Sequence, residues 1–582
     1  MTIRSGATKT YTIDKITPKA FSRSENALFR RGALETAAPP TKIGALASSD
    51  AGAGSVVRAK CSSSGVDVFR VGRSIYAKNA SDVVSRLASN FFYANTNTVM
   101  FHDDGAFIMT DGSRLLRVTD ALATGTAQPY VPIILKFESA TSMAGVDYEK
   151  PNVLSDNIGF EYSLSEETSL IYIPRNIKYA SLVSVKYKNG TSYSGTCRLV
   201  TSVGTTTLSF NPAISGNFIV TLKLGTSTET GVMSLNSFSN VRNLLYSATS
   251  ISVLAPFISG TGKTLMLSSG DTLFAIEVRD GLYVTPDAMI SSSVGEQVTA
   301  MVNYTSGVLV FTPSCVIYAQ IEGSGTSDPV IVQNIIKRDV GCDMPMSVVG
   351  CDNKIFFANS ESGIYYIDKF GLTERDGSCH VSTIIDGELL SNTKSALQGA
   401  VAFANGKSYY LSVGGTVYIW NYAEKHPPTP DVSDEKKLEY VFARLTTVDT
   451  GDFIGKRGDK IYLVEKTTGY VYSFDEDASP DPTASSETEI ETCPLDLGSV
   501  HEKVMTRLVI SAIVAQSATV KIYYDGAEAK SSYTMNAPSY DGVCSFVIRP
   551  ERHKFRNVKL KITSDNPICL RGVEATFSKT GV

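Results

Sequence analysis

The chain alternates apolar and polar residues at a period of two, in short stretches that end at Gly, Asn, Asp or Ser. Six such stretches lie at residues 66–76, 99–118, 264–284, 354–367, 401–420 and 460–474. In each, aromatic-rich strands are joined by tight polar turns, which is the pattern of antiparallel hairpins. Several hairpins of this kind in one chain predict the blades of a β-propeller, because radial repetition leaves only short sheet edges.

Two further segments have period-two strands that do not follow this hairpin pattern. The first has predicted strands at 182–187, 197–201, 206–210 and 218–224, with turns at Asn189-Gly190 and Asn211-Pro212. Short strands over roughly ninety residues indicate a small β-sandwich, here inserted between two blades. The second has predicted strands at 504–513, 519–524, 542–548, 557–562 and 568–577 and predicts a terminal β-sandwich.

The N-terminal segment differs from both. Residues 15–37 combine a partly helical apolar pattern with Arg23, Arg30 and Arg31 and end at an Ala-Pro-Pro sequence. We interpret this segment as an arm that packs on the body or on a neighbour, with these arginines as candidate arm contacts. Contact of the arginines with phosphate is the alternative.

The predicted fold is therefore all-β: a β-propeller with an inserted β-sandwich domain, a C-terminal β-sandwich and an N-terminal arm. The predicted boundaries are 1–50 for the arm, 51–131 for the first blades, 132–240 for the insert and 241–475 for the remaining blades. An acidic, Ser- and Pro-rich linker at 476–492 precedes the terminal sandwich at 493–582. A second Pro-rich and acidic stretch, 426–439, is predicted to be a projecting loop.

Composition narrows the functional classes. Hydrophobic residues make up 43% of the 582 residues, charged residues make up 19%, and the net charge is −4. This favours a folded β-rich protein and argues against a broad basic surface that wraps nucleic acid. The start has no apolar signal region, so we expect a chain made in the cytoplasm that stays soluble unless another route exports it. Nine scattered cysteines indicate free thiols.

Sequence patterns that would indicate a catalytic site or a metal site are weak. Candidate glycosidase carboxylates fall in or near turns, where Asp bonds the local backbone: Asp103, Asp104, Asp271, Glu277, Asp339 and Asp343. Residues 259–264 resemble a phosphate loop but lack its first glycine and run into a strand. Cys342, Cys351, Cys379 and His380 lack the spacing of a zinc site. We therefore predict no catalytic residues, no cofactor and no metal, and a protein that is not an enzyme.

The order of elements, together with several phrases, resembles a known family. The phrases lie at 148–154, 307–311, 316–318, 340–342, 354–357, 362–366 and 494–498. With the arm, the split propeller and the two sandwiches, they resemble the β-propeller tail proteins of short-tailed bacteriophages. These are the tail nozzle or tubular tail component and the related DNA-stabilisation proteins below the portal. The resemblance covers most of the chain by element order.

The resemblance implies a structural virion protein that forms a ring, in most such tails a hexamer, around the channel that retains and conducts the packaged DNA. Implied partners are further copies of the chain, portal or adaptor and other tail proteins, the host surface, and double-stranded DNA passing without sequence specificity. The implied location is the virion tail, after assembly in the host cytoplasm. A portal-proximal DNA-stabilisation protein and a propeller module that binds glycan are the alternatives. Lys456, Arg457 and Lys460 are the candidate channel or partner contacts, and loop 426–439 is a candidate gate.

Overall fold

The computed structural model describes most of the chain. The residues outside the description are 1–7, 14–20, 31–32, 51–56, 64, 93–97, 104, 112–114, 127–128, 203–204, 249, 255–262, 280–282, 324–327, 352–353, 369–377, 384, 423–441, 447–450, 458–459, 466, 484, 486, 496–500, 539–541 and 580–582. The predicted projecting loop at 426–439 and the phosphate-loop-like residues 259–262 therefore lie outside the described residues.

The N-terminal segment forms strands. These are β1 (Thr8–Ile13), β2 (Phe21–Glu25), β3 (Ala27–Arg30), β4 (Ala33–Thr36) and β5 (Thr41–Ala45). The helical pattern predicted for residues 15–37 is thus wrong in the described part. The physical reason is that adjacent residues such as Ala33 and Leu34 are both fully buried, and burial on both faces of a strand removes the period-two signal.

Blade-type strands follow in groups of four. The first groups are β6 (Val57–Ser63), β7 (Val66–Val71), β8 (Ser74–Lys78) and β9 (Val84–Ala88), then β10 (Val99–Asp103), β11 (Ala106–Thr110), β12 (Leu115–Thr119) and β13 (Thr124–Thr126). Each group forms a four-stranded sheet in chain order, with antiparallel pairing as between β7 and β8.

The inserted domain interrupts the blades after β13. Its strands are β14 (Ile133–Phe137), β15 (Val146–Asp147), β16 (Asn157–Tyr172), β17 (Tyr179–Tyr187), β18 (Thr196–Ser202) and β19 (Thr205–Leu224). They form one sheet in which β17 pairs with the end of β19 and β18 with its start. The two strands predicted at 206–210 and 218–224 are therefore a single strand, and Asn211-Pro212, a cis peptide, lies within it and does not begin a reversal.

Helical turns and further blades follow the insert. A 3-10 turn (Leu235–Phe238) leads into α1 (Ser239–Ser247). The next strands are β20 (Ser250–Leu254), β21 (Lys263–Ser269), β22 (Thr272–Arg279) and β23 (Tyr283–Ser293), then β24 (Ala300–Tyr304), β25 (Gly307–Phe311), β26 (Val316–Glu322) and β27 (Val330–Lys337). After a second 3-10 turn (Pro345–Ser347) come β28 (Val349–Cys351), β29 (Lys354–Asn359), β30 (Gly363–Asp368) and β31 (Ser378–His380).

The last blades incorporate N-terminal strands. Helices α2 (Asp386–Leu389) and α3 (Lys394–Gln398) precede β32 (Val401–Ala404), β33 (Ser408–Val413), β34 (Thr416–Asn421) and β35 (Ala443–Leu445), and then β36 (Gly451–Arg457), β37 (Lys460–Glu465) and β38 (Tyr470–Asp475). Strand β5 pairs with β38 and supplies the fourth strand of the final blade. Seven blade-type sheets thus occur within the described residues.

The C-terminal sandwich is also shared between the two ends of the chain. Its strands are β39 (Thr488–Thr492), β40 (Lys503–Val514), β41 (Ser517–Tyr524), β42 (Ala527–Glu528), β43 (Tyr533–Asn536), β44 (Cys544–Ile548), β45 (Lys554–Phe555), β46 (Val558–Ser564) and β47 (Ile568–Lys579). One sheet adds β1, β3 and β4 to β47, β40, β44 and β45. The other runs from the β32–β35 blade through β2 into β39, β46 and β41–β43 as ten strands.

The predicted linker is shorter than residues 476–492. Strand β39 begins at Thr488, and the Glu476 carboxylate is buried and accepts a hydrogen bond from the Tyr410 hydroxyl. Charged composition predicts exposure for an isolated segment. Here the first residue of the segment, Glu476, is buried against a blade, and its last residues form β39 in a sheet of the sandwich.

The chain divides into two compact units. One comprises Met1–Phe91, Phe311–Val316 and Ile335–Val582, and the other comprises Phe92–Val310 and Ile317–Asn334. In the first, separate apolar cores fill the sandwich and the spaces between neighbouring blades; in the second, one core joins the insert to the β20–β23 blade. The predicted fold class is confirmed: the protein is all-β, with propeller blades, an inserted β-domain and a C-terminal sandwich.

Candidate functional surfaces

The three basic residues predicted as channel or partner contacts lie on one hairpin of the final blade. Lys456 and Arg457 are the last two residues of β36, and Lys460 is the first residue of β37. Arg457 lies opposite Lys460 in the antiparallel pairing of the two strands. The Lys456 and Lys460 side chains are exposed. The structure therefore places the three residues on one hairpin. The exposed Lys456 and Lys460 side chains lie on opposite faces of it, because Lys456 pairs with Ile461, the neighbour of Lys460.

The predicted arm arginines contact their own chain. Arg23 forms an ion pair with Glu25, and its Nε lies 3.6 Å from the Glu489 carboxylate. Arg30 donates a hydrogen bond to the Ala478 carbonyl at 2.9 Å, and burial lowers the pKa of its guanidinium. Arg31 lies outside the described residues. Arg23 and Arg30 therefore help to fix the N-terminal strands against the segment that leads into the terminal sandwich.

A serine, a histidine and an aspartate that are close together occur at the end of β31. The His380 Nε2 lies 3.2 Å from the Ser382 hydroxyl and 2.9 Å from Asp386 Oδ2, and the Ser382 hydroxyl donates to Asp386 Oδ1 at 2.5 Å. This cluster was not predicted from the sequence. Its signal there is the short spacing of the three residues, two positions from His380 to Ser382 and four from Ser382 to Asp386. The residue types match those of nucleophilic catalysis.

The geometry of this cluster is that of a structural hydrogen-bond network and not that of a nucleophile triad. In a nucleophile triad the two imidazole nitrogens serve the serine and the acid separately, whereas here Nε2 faces both. Ser382 is fully buried and accepts a hydrogen bond from the Ile364 amide at 2.7 Å. Gly363 packs so closely that a Cβ there would collide with all three groups, the His380 ring included at 2.8 Å. No space for a substrate remains on that side.

Four of the thiols and the Asp343 carboxylate also have structural environments. Burial raises the pKa of Cys342 and of Cys197 to about 11, and that of Cys61 and Cys569 to about 12, so these thiols are not activated nucleophiles. The Asp343 carboxylate accepts hydrogen bonds from the Ser360 amide and hydroxyl across a turn. Within the part of the chain that the structure describes, no group of three or more His, Cys, Asp or Glu could hold a metal ion.

The inserted domain carries a pocket of about 280 Å³. Its wall comprises Ile134, Leu135, the segment 147–151, Asn176, Ile177 and Met233. Tyr148, at its rim, is 57% exposed, and the Lys136 ammonium lies 3.3 Å from the centre of its ring. The pocket was not predicted from the sequence, because its wall combines segments that are distant along the chain.

No helix among the described residues is long and apolar enough to cross a membrane.

Comparisons with known proteins give no family. No family model matches the chain, and no curated protein matches it. Among solved structures, the computationally designed protein Ika8 has a TM-score of 0.32 and 8% identity, covering 75% of this chain and 99% of its own. Hsv2 of Kluyveromyces lactis has a TM-score of 0.28 and 7% identity, covering 74% of this chain and 89% of its own. Similarity at this level carries no inference about function.

Proposed function

We propose that this protein is a non-catalytic structural component of a bacteriophage tail. In this proposal, copies of the chain, six in number, form the nozzle ring around the channel that retains and then conducts the packaged DNA. The order of elements, with blades, insert and terminal sandwich, supports it. The observation that carries the proposal is that N-terminal strands pair with strands of the last blades and of the terminal sandwich, so that both ends of the chain share the same sheets.

The N-terminal strands act as a clamp between the last blades and the terminal sandwich. Strand β2 pairs with β35 on one side and with β39 on the other, while β1 pairs with β47 and β5 with β38. Force applied to the sandwich would therefore be shared among several strands that lie side by side. Load sharing of this kind suits a conduit that retains packaged DNA.

The buried residue Asn26 is the centre of this clamp. Its side chain donates to the Glu487 carbonyl at 2.7 Å and to the Thr446 hydroxyl at 3.1 Å, and it accepts from the Thr446 amide at 2.8 Å. Its own amide donates to the Arg444 carbonyl. One polar side chain thus joins the N-terminal strands to a blade and to the start of the terminal sandwich.

The charge balance suits passage of DNA. A net charge of −4 gives little counterion-release affinity, so DNA would slide and not be held. The exposed basic hairpin with Lys456 and Lys460 is then a local contact with DNA or with a portal, adaptor or other tail protein. A portal-proximal position in the tail is the alternative within the same class.

Cryo-electron microscopy of the purified protein, alone and mixed with its portal and adaptor proteins, tests the proposal. We expect closed rings with an axial hole at least as wide as a DNA duplex, about 20 Å. Charge reversal at Lys456→Glu and Lys460→Glu should weaken the association with DNA or the partner without changing the fold, while Lys394→Glu, on another exposed site, serves as the matched control. Persistent monomers in every mixture would overturn the proposal.

A further inference from the structure

We propose that the pocket of the inserted domain is a binding site for one pyranose ring of a neutral glycan. The proposal goes beyond the tail role, because the site lies entirely within the inserted domain. It can therefore be measured on the isolated chain whether or not rings form.

The lining of the pocket matches the two-sided chemistry of a sugar ring. Buried Ile134 and Ile177, together with Leu135, Pro151 and Met233, provide an apolar floor. The exposed rim carries the Tyr148 ring, the Asp147 carboxylate and the Asn176 amide. Apolar surface and an aromatic ring suit the C–H face of a pyranose, and a carboxylate and an amide suit its hydroxyl groups.

The size of the pocket limits the ligand. Its volume of about 280 Å³ lies just below the roughly 300–1,000 Å³ that is usual for drug-sized ligands. One sugar ring fits such a volume, with the rest of a glycan chain extending into solvent. A fatty chain or a nucleotide would need a longer or larger cavity.

The walls of the pocket are fixed by backbone hydrogen bonds. The amides of Tyr148 and Glu149 donate to the carbonyls of Ile134 and Ile133, and the Met233 amide donates to the Asn176 carbonyl at 2.8 Å. The Glu149 carboxylate in turn accepts from the Ile133 amide at 2.6 Å and from the Tyr130 hydroxyl. A preformed wall lowers the entropic cost of binding a small ligand.

The charges around the pocket favour a neutral ligand. The Glu161 carboxylate lies 3.2 Å from the Lys136 ammonium and 2.7 Å from that of Lys188. Lys136 also contacts the Tyr148 ring, so it is already engaged by a carboxylate and an aromatic face. A phosphate or sulfate would have to compete with Glu161 for this cation. The lining itself carries the Asp147 and Glu149 carboxylates against the ammonium of Lys150, so its charge is negative on balance and disfavours an anion.

Saturation-transfer NMR with the methyl glycosides of glucose, galactose, mannose and N-acetylglucosamine tests the proposal. We expect transfer to at least one of them with a dissociation constant on the order of 1 mM. Tyr148→Ala and Asp147→Ala should each weaken binding about tenfold, a difference of about 1.4 kcal/mol. Tyr148→Phe, which keeps the ring, should retain binding. Because Tyr148 is 57% exposed, the alanine variant should fold, and its circular dichroism spectrum should match that of the original chain.

Val200→Ala is the matched control, because Val200 is 46% exposed on the same domain and does not line the pocket. Binding by this variant should equal that of the original chain. The proposal is overturned if none of the four glycosides receives saturation at about 10 mM, ten times the expected constant. It is also overturned if Tyr148→Ala binds as well as the original chain.

Discussion

A buried ion pair of the first blade, packed against the final blade, gives the sharpest test of how these blades are held together. The side chains of Lys78 on β8 and Asp67 on β7 are both essentially inaccessible, and Lys78 Nζ lies 2.9 Å from Asp67 Oδ2. The ammonium also lies 3.8 Å from the centre of the Tyr462 ring on β37. Gly455 on β36 packs directly on the Asp67 carboxylate. The perturbation is Lys78→Met.

The expected cost follows from the burial of the group that remains. At an effective dielectric constant of about 20, two charges 2.9 Å apart attract by about 6 kcal/mol. Desolvation of both ions offsets much of this attraction, yet removal of one partner leaves the other charge buried and unpaired, which costs about 3–5 kcal/mol. Among the described residues, the Ser62 hydroxyl, which donates to Asp67 Oδ1 at 2.5 Å, would remain as the hydrogen-bond partner of the carboxylate.

Urea unfolding followed by tryptophan fluorescence measures this cost. The chain has a single tryptophan, Trp420 on β34, which is buried beside Phe356 in the same compact unit as the ion pair. With a slope of about 3 kcal/mol per molar urea, the midpoint should fall by about 1 to 1.7 M. Asp67→Asn should be less destabilising, because Lys78 Nζ also lies 3.7 Å from Asp82 Oδ1 and keeps that carboxylate as a partner. The double variant should lose much less than the sum of the two.

The matched control is Lys394→Met, since Lys394 forms an exposed pair with Glu361 at 3.4 Å. Such pairs contribute about 0–1 kcal/mol, so the midpoint should hardly move. A loss below about 1 kcal/mol for Lys78→Met, or strict additivity in the double variant, would refute the reasoning that a buried, paired charge holds these blades together.

Three further predictions follow from other sites. Gly363→Ala should lower the stability by more than about 2 kcal/mol in urea unfolding, because φ is +94° and a Cβ would collide with the His380–Ser382–Asp386 cluster; Gly387→Ala, where a Cβ meets nothing within 4 Å, should not. Asn26→Ala should cost about 2–4 kcal/mol and speed amide exchange in β2 and β39, and equal exchange in the two proteins would contradict this. Hydrogen bonds from Lys188 and then Lys136 lower the pKa of Glu161. The stability that they confer is therefore present above the ordinary value of 4.5 and is lost as the pH falls through the lower folded pKa. Glu161→Gln should flatten the acid dependence of amide exchange in β16, and an unchanged profile would count against it.

Much of the strand content could be predicted from local pattern. The hairpins at 66–76, 354–367 and 460–474 appear as β7–β8, β29–β30 and β37–β38. Each reversal is short and has a glycine in the turn or directly after it, namely Gly72, Gly363 and Gly469. The N-terminal strands could not be predicted. Strands β3 and β4 pair with each other, but the other partners of the N-terminal strands lie more than 400 residues away, as for β2 and β35. No local periodicity reports such distant pairing.

The candidate sites show the same division. The sequence placed Lys456, Arg457 and Lys460 near one turn, and the structure places them on one hairpin. The pocket was not predicted, because its wall combines residues 134–151 with Asn176, Ile177 and Met233, and only packing brings these together. The triad-like cluster was also missed, and its structural role depends on Gly363, which lies on a neighbouring strand.

The sequence by itself determined the all-β class, the hairpin blades, the two additional β-domains and the low net charge, since strand periodicity, turn residues and composition are local properties. Only the tertiary structure decided that the N-terminal strands complete the last blade and join the terminal sandwich. The physical reason is that strand pairing is satisfied by any backbone with free hydrogen-bonding groups. Which distant strand meets which edge is therefore settled by the packing of the whole unit and not by the residues of the strand alone.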